Sequence, residues 1–158
     1  MNKFKAGDVV PDFSIQVLAN KSYSLKDFAG KYLVMYFYPK DNTPGCTIEA
    51  RDFNSFKSEF GKLNAEIIGI SKDTHASHDK FKNNFNLNIH LGSDHDSNTC
   101  ERFNVWTQKS MFGKKYMGIE RSTFLIGPDG KFAYTWYNVS AMGHAKEVLK
   151  KLKEISAP

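Results

Sequence analysis

The sequence predicts an α/β fold, with a central mixed sheet flanked by helices and an N-terminal hairpin. Three observations carry this. Tyr32–Tyr38 is a run of seven apolar and aromatic residues, the pattern of a strand buried on both faces. A second buried strand, Ala65–Ser71, comes after a stretch whose phenylalanines at 53, 56 and 60 mark one helical face. Late in the chain, Arg121–Ile126 and Lys131–Tyr137 flank Pro128-Asp129-Gly130, a hairpin signal. Strand–helix alternation followed by a hairpin and a last helix gives a mixed sheet.

The elements follow in order. Asp12–Leu18 alternates, with Phe13, Ile15 and Val17 on one side, and reads as a half-buried strand. Asn20-Lys21 turns the chain into a short partner, Ser22–Leu25, and Gly30-Lys31 leads into the central strand. Pro39 ends that strand because it cannot donate to the ladder. Asn42-Thr43-Pro44-Gly45 is turn chemistry, and Thr47–Phe60 is a helix closed by Gly61 as its C-cap. After Ala65–Ser71, Asp73 or Thr74 caps a helix that carries Phe81 and Phe85 inward. Ile89–Leu91 is a short strand, and a helix after Ser93-Asp94 runs through Cys100 and Phe103. Thr107–Gly118, polar, basic and glycine-bearing, reads as a long functional loop. The final helix places Ala145, Val148, Leu149 and Leu152 on one face.

The 158 residues suit one domain with a real core, and no repeat or second domain interrupts them. Hydrophobic residues at 41% and charged ones at 25% argue for a folded soluble chain rather than a disordered one. The longest apolar run, 32–38, is far short of a membrane span, and the N-terminus lacks the pattern of a secretory signal. Two cysteines 54 positions apart build no disulfide framework, so a reducing cytoplasm is expected. The net charge of +5 is spread along the chain, densest at Lys146, Lys150, Lys151 and Lys153 on the last helix, where it fits a solvated face. No aromatic–basic motif accompanies it, so no nucleic-acid partner is expected.

Cys46 sits where a tight turn opens a helix beyond the C-terminal end of a central strand, the place where ligands bind in open α/β sheets. The first helical turn has unpaired amides and partial positive charge, which favour an anion. Such placement lowers a cysteine pKa from ~8.5 into the range of roughly 3.5–7.5. The competing reading is a small buried apolar residue, the fate of most free cysteines.

Pro39, Thr43 and Cys46 reproduce the peroxiredoxin spacing: proline, three residues, threonine, two residues, cysteine. The flanks Tyr36-Phe37-Tyr38-Pro39-Lys40 and Thr43-Pro44-Gly45-Cys46-Thr47 resemble the bacterioferritin comigratory, or Q-type, branch. The likeness continues through Gly7-Asp8, Pro11-Asp12-Phe13, the stretch Gly118–Ile126 and Gly143-His144-Ala145. The resemblance implies a thioredoxin-like fold and a thiol-dependent peroxidase that reduces hydrogen peroxide and organic hydroperoxides in antioxidant defence. It needs no cofactor or metal. It implies a monomer or weak dimer, reduced by an external thiol such as thioredoxin, glutaredoxin or a low-molecular-weight thiol.

Carried over residue by residue, Cys46 attacks the peroxide and becomes a sulfenic acid. Thr43 supplies a hydroxyl donor, with a helix cap as its alternative role. Arg121 stabilises the thiolate and contacts the peroxide; without the resemblance it reads as a surface arginine. Pro39 shields the pocket and fixes the loop. Glu49 hydrogen-bonds in the pocket of relatives, but here a solvated helix-face glutamate is the preferred reading. Many Q-type relatives carry a resolving cysteine five residues after the first; here that position is Arg51, which closes the within-helix disulfide route. Cys100 is read as a buried core residue, with a resolving role as the alternative.

Other chemistries fit less well. Disulfide exchange of the thioredoxin kind wants CxxC, and position 49 is Glu. A phosphatase or arsenate reductase loop wants arginine six positions after the cysteine, where Asp52 stands. His75 and His78 could share a helical face, but no zinc motif is present. Asp94, Asp96 and Asn98 imitate a calcium loop that fails at Thr99 and Val105. A non-enzymatic chaperone or binding role stays open as a second function.

Overall fold

The apolar run at 32–38 becomes β3 (Tyr32–Phe37), an interior strand covered on both faces, as its lack of alternation requires. The structure, a computed structural model, describes residues 3–157, so Met1, Asn2 and Pro158 lie outside it. In chain order β1 (Ser14–Leu18) and β2 (Lys21–Ser24) form the N-terminal hairpin, and a 3-10 turn at Leu25–Phe28 leads to β3. Then come α1 (Pro44–Ser55), α2 (Lys57–Lys62), β4 (Ala65–Ser71), α3 (His75–Phe85), β5 (His90–Ser93) and α4 (Thr99–Arg102). The chain continues through β6 (Trp106–Met111), β7 (Lys114–Ile119), β8 (Ser122–Ile126), β9 (Phe132–Trp136) and α5 (His144–Ser156).

Seven strands form one sheet in the order β2-β1-β5-β4-β3-β8-β9. β3 pairs in parallel with β4 and antiparallel with β8, which makes the sheet mixed. Two cores result from the pleat. Val34 and Tyr36 face Ala50, Phe53 and Phe60 below α1 and α2, with Phe81 of α3 and Val148, Leu149 and Leu152 of α5. Leu33, Met35 and Phe37 point the other way, toward Phe13, Cys100, Phe103, Val105, Phe124 and Phe132. Burying one such phenylalanine contributes about 1.5–3 kcal/mol.

Three expectations need correction. The helix expected over Thr47–Phe60 is divided: Phe56, at φ −94° and ψ 4°, is the joint between α1 and α2. The Ser55 hydroxyl donates to the Asp52 carbonyl at 2.8 Å, a back-bond of the kind that bends helices. Gly61 lies inside α2 rather than capping it; the left-handed residue is Asn64 (φ 60°), whose side-chain amide donates to Gly30 O at 3.0 Å. Thr107–Gly118 is not a loop but part of the β6–β7 hairpin, a separate two-stranded sheet. Its turn is Phe112-Gly113, both at positive φ (54° and 79°), the geometry of a tight hairpin turn. Phenylalanine at a left-handed position hides that turn from composition.

Candidate active site

The site is built where β3 runs out. Tyr38 still donates to Ile70 O at 3.0 Å, and the next residue, exposed Pro39, has no amide to continue the ladder. The loop 39–43 is then clamped from below. Asp41 Oδ1 accepts from the Tyr38 hydroxyl at 2.6 Å, and Oδ2 accepts from Ser77 Oγ at 2.8 Å and meets His78 Nδ1 at 2.7 Å. The Asp41 amide donates to Asp73 Oδ2 at 2.9 Å. His78 Nε2 donates to the Gly92 carbonyl at 2.9 Å, so the ring is fixed at both nitrogens. Burial alone would push the Asp41 carboxyl upward, but bonds from His78, Tyr38 and Ser77 outweigh it and hold it below the usual carboxylate range.

Asp41, Asp73 and His78 are the one group of potential metal donors among the described residues, and their facing atoms are already taken by these bonds and by Ser71 Oγ. The group works as a clamp. His75 turns away from it toward Asp79, so the two histidines do not converge. Asp73 serves the loop, and Thr74 caps α3, accepting from Ser77 N at 3.2 Å. Asp94 caps α4 through the amides of Thr99 and Cys100, at 2.9 and 2.8 Å, and pairs with Lys72 at 3.0 Å.

Thr43 is the N-cap of α1, Pro44 its first residue and Cys46 its third. Pro44 has no N–H to lose there, and the amides of Gly45 and Cys46 belong to the unpaired first turn. The Thr43 hydroxyl makes no capping bond. It donates to Lys40 O at 2.8 Å, which engages its proton with the loop backbone and leaves its oxygen as an acceptor.

Arg121 stands just before β8, whose register with β3 sets Ser122 opposite Phe37 and so brings the guanidinium over α1. Its Nη2 donates to Cys46 Sγ at 3.3 Å and its Nη1 to Glu49 Oε1 at 2.5 Å. Gly45 leaves room for this approach, since a Cβ there would stand 3.3 Å from Nη2. Cys46 is 1% exposed and Glu49 fully buried.

The solvated reading of Glu49 is therefore wrong. Positions 46, 49, 50 and 53 share one helical face, which is the face turned to the core, and that spacing was the available signal. Burial raises the Glu49 pKa to about 7, against the pull of Arg121 and with a further push from Asp52. Its Oε2 and the Tyr36 hydroxyl are buried without hydrogen-bond partners among the described residues. Tyr36 stacks on Phe53 at 4.5 Å and lies against Gly69, where a Cβ would come within 2.5 Å of the Tyr36 ring. Only glycine fits there.

Cys100 is buried on the other side of the sheet, in the core of Phe37 and Phe103, while Cys46 belongs to the core of Tyr36 and Phe53. Arg51 extends from α1 over Phe85, its guanidinium carbon 6.0 Å from the ring centre. The clamp of Asp41, Tyr38 and His78 and the buried His144–Thr123 bond (2.8 Å) were not foreseen, because each joins elements far apart in sequence.

Residues 6–135 match the AhpC/TSA family. The chain is 45% identical to Peroxiredoxin Bcp of Bacillus subtilis over 150 residues, 95% of this chain and 96% of that one. It is 40% identical to Peroxiredoxin Bcp of Escherichia coli over 154 residues, 98% of this chain and 99% of that one. Among solved structures it is similar to the bacterioferritin comigratory protein of Xanthomonas campestris, described for alkyl peroxide reduction. The identity is 42% and the TM-score 0.89, over 94% of this chain and 96% of that one. No helix among the described residues is long and apolar enough to cross a membrane. The mixed sheet and its flanking helices are thus thioredoxin-like, and the chain belongs to the AhpC/TSA family of peroxiredoxins, alongside its Bcp and Q-type members.

Proposed function

We propose that the chain works as one cytoplasmic domain, a thiol-dependent peroxidase in which Cys46 is the nucleophile and no second cysteine of the chain resolves it. The observation that carries the reading is the 3.3 Å bond from Arg121 Nη2 to Cys46 Sγ in the first turn of α1. The Cys46 thiolate attacks the terminal oxygen of a hydroperoxide. The O–O bond breaks, the hydroxyl stays on sulfur as sulfenic acid, and the alkoxide leaves and takes a proton from water to become an alcohol. Arg121 holds the thiolate and the oxygen under attack, and the first-turn amides add partial positive charge. The Thr43 oxygen, its own proton held by Lys40 O, accepts from the peroxide O–H. Pro39 and the Asp41 clamp keep the loop in place.

An external thiol then attacks the sulfenic sulfur, releasing water and leaving a mixed disulfide, which a second thiol reduces. Thioredoxin, a glutaredoxin or a low-molecular-weight thiol would serve, with the protein acting as a monomer or weak dimer. The placement of Cys46 and Cys100 in different cores, with the sheet between them, favours this one-cysteine cycle. The test is mass spectrometry of the reduced protein after one equivalent of peroxide, followed by non-reducing peptide mapping. A sulfenate or its higher oxides on Cys46 is expected. A Cys46–Cys100 bridge in high yield would overturn the one-cysteine cycle, and an unreacted thiol would overturn the peroxidase reading itself.

A further inference from the structure

Two groups that can each carry a negative charge share one guanidinium at the site. Arg121 donates through Nη2 to Cys46 Sγ at 3.3 Å and through Nη1 to Glu49 Oε1 at 2.5 Å. Sulfur and carboxyl stand three positions apart on the inward face of α1, 1% and 0% exposed, so water screens little of the repulsion between their anions.

Glu49 uses one oxygen only. Oε2 is buried without a hydrogen-bond partner among the described residues, and so is the hydroxyl of Tyr36 on β3. An ionised carboxylate with a bare buried oxygen is unfavourable, whereas a protonated carboxyl keeps Oε1 on Arg121 and carries its proton on Oε2. Neither neighbouring wall adds a cation. Burial, then the charges of Glu49 and Cys46, push the Tyr36 pKa well above the phenol value, and burial holds His144 of α5 below its own against the pull of Glu147. Asp52, on α1 itself, adds negative charge, and burial sets Glu49 at about 7.

The reaction changes this balance, because a thiolate is an anion and a sulfenic acid is neutral. While the sulfur is charged, that charge and burial keep the proton on Glu49. Once the charge has left the sulfur, Arg121 answers Glu49 alone, and the carboxylate is favoured. We propose that Glu49 holds the proton of the peroxidase reaction: protonated while Cys46 is a thiolate, it gives the proton up as the sulfenic acid forms. The balance closes without the bulk solvent. Thiolate, Glu49 carboxyl and hydroperoxide become sulfenic acid, Glu49 carboxylate and alcohol. The S–O bond forms as the O–O bond breaks, and Glu49 replaces the proton that the leaving alkoxide takes from water. Glu49 acts through Arg121 and the charge on the sulfur. The proposal rests on Cys46 being the nucleophile.

The test is an infrared difference spectrum, peroxide-treated minus reduced protein, at a pH where ultraviolet absorbance shows Cys46 ionised, with mass spectrometry to count sulfenate. Wild type should lose the carbonyl band of a protonated carboxyl for every sulfenate formed and gain carboxylate bands. The lost band should shift in deuterium oxide and with isotope-labelled glutamate, which separates Glu49 from buried Asp41 and Asp94. Glu49→Gln, its fold checked by circular dichroism, should lose the signal. An indicator dye should then report a proton drawn from solution for every sulfenate, where wild type draws none. If Glu49→Gln does not fold, the labelled wild-type band decides alone. Sulfenate formed with no carboxyl band lost, or a band that persists in folded Glu49→Gln, would overturn the role of Glu49 and leave the peroxidase reading standing. A wild type that forms no sulfenate would overturn both.

Discussion

Cys46 and Cys100 are both free, both buried, and both in the first turn of a helix, as the third residue of α1 and the second of α4. Local sequence position does not separate them, but their neighbours do. At Cys46 a guanidinium points at the sulfur, and no carboxylate caps the first-turn amides. At Cys100 the Asp94 carboxylate takes the amides of Thr99 and Cys100 for itself. Burial, then the Asp94 charge and its bond to the thiol, push the Cys100 pKa far above the ordinary thiol value. A helix start makes a reactive cysteine only where its positive end is left for the sulfur. Glu49 is a carboxylate too, but it binds Arg121 from below and leaves Nη2 for Cys46.

The largest expected difference is between removing one sulfur and removing the other. Cys46→Ser should abolish peroxide turnover with the fold intact, whereas Cys100→Ser should keep most of it. Stopped-flow peroxide consumption with an excess of dithiothreitol measures both, and turnover close to wild type in Cys46→Ser would end the contrast. A smaller loss is expected from Thr43→Val, which keeps the shape and removes the hydroxyl oxygen. The second-order rate with peroxide should fall on the order of tenfold to a thousandfold. An unchanged rate would mean that Thr43 serves the backbone alone.

The smallest effect concerns stability, and the two sites should answer acid in opposite directions. Glu49 has a folded pKa of about 7 against an ordinary 4.5, so the folded state binds a proton that the unfolded chain releases between those values. Its ionised form therefore costs stability above about pH 7, and the cost is relieved as pH falls through 7. At Asp94 burial pushes the pKa upward, but bonds from Ser97 and the amides of Cys100 and Thr99 outweigh it and hold the carboxyl below its usual range. Asp94 stabilises the fold above the ordinary aspartate pKa, and this is lost as pH falls through its depressed value. Urea denaturation from about pH 8 down to about pH 3 should show Glu49→Gln catching up with or passing wild type at the alkaline end. Asp94→Asn should be destabilised at neutral pH and close the gap only in acid. Parallel curves for the two variants would break the comparison.

The sequence was enough for the elements whose pattern is local. Seven apolar and aromatic residues, rich in strand formers, read as a strand with two covered faces, and Thr43-Pro44-Gly45-Cys46 announced a helix start because proline and threonine have marked preferences there. The hairpin around Asp129-Gly130 was equally plain: Gly130 takes a positive φ, and the Asp129 side chain accepts from Lys131 N at 3.1 Å. The β6–β7 hairpin escaped because most of its side chains face solvent, so neither strand shows a buried alternation.

What only the tertiary structure decided is which distant charges share space. Glu49 and Arg121 are 72 positions apart, Asp41 and His78 are 37 apart, and no local pattern records either pair. Their meeting depends on the register of β8 against β3 and on α3 packing beneath the loop. The same placement put Cys100 behind the sheet and gave Glu49 its burial. Propensity and periodicity act over a few residues, whereas the energy of a buried charge depends on everything within about 10 Å, whatever its place in the chain.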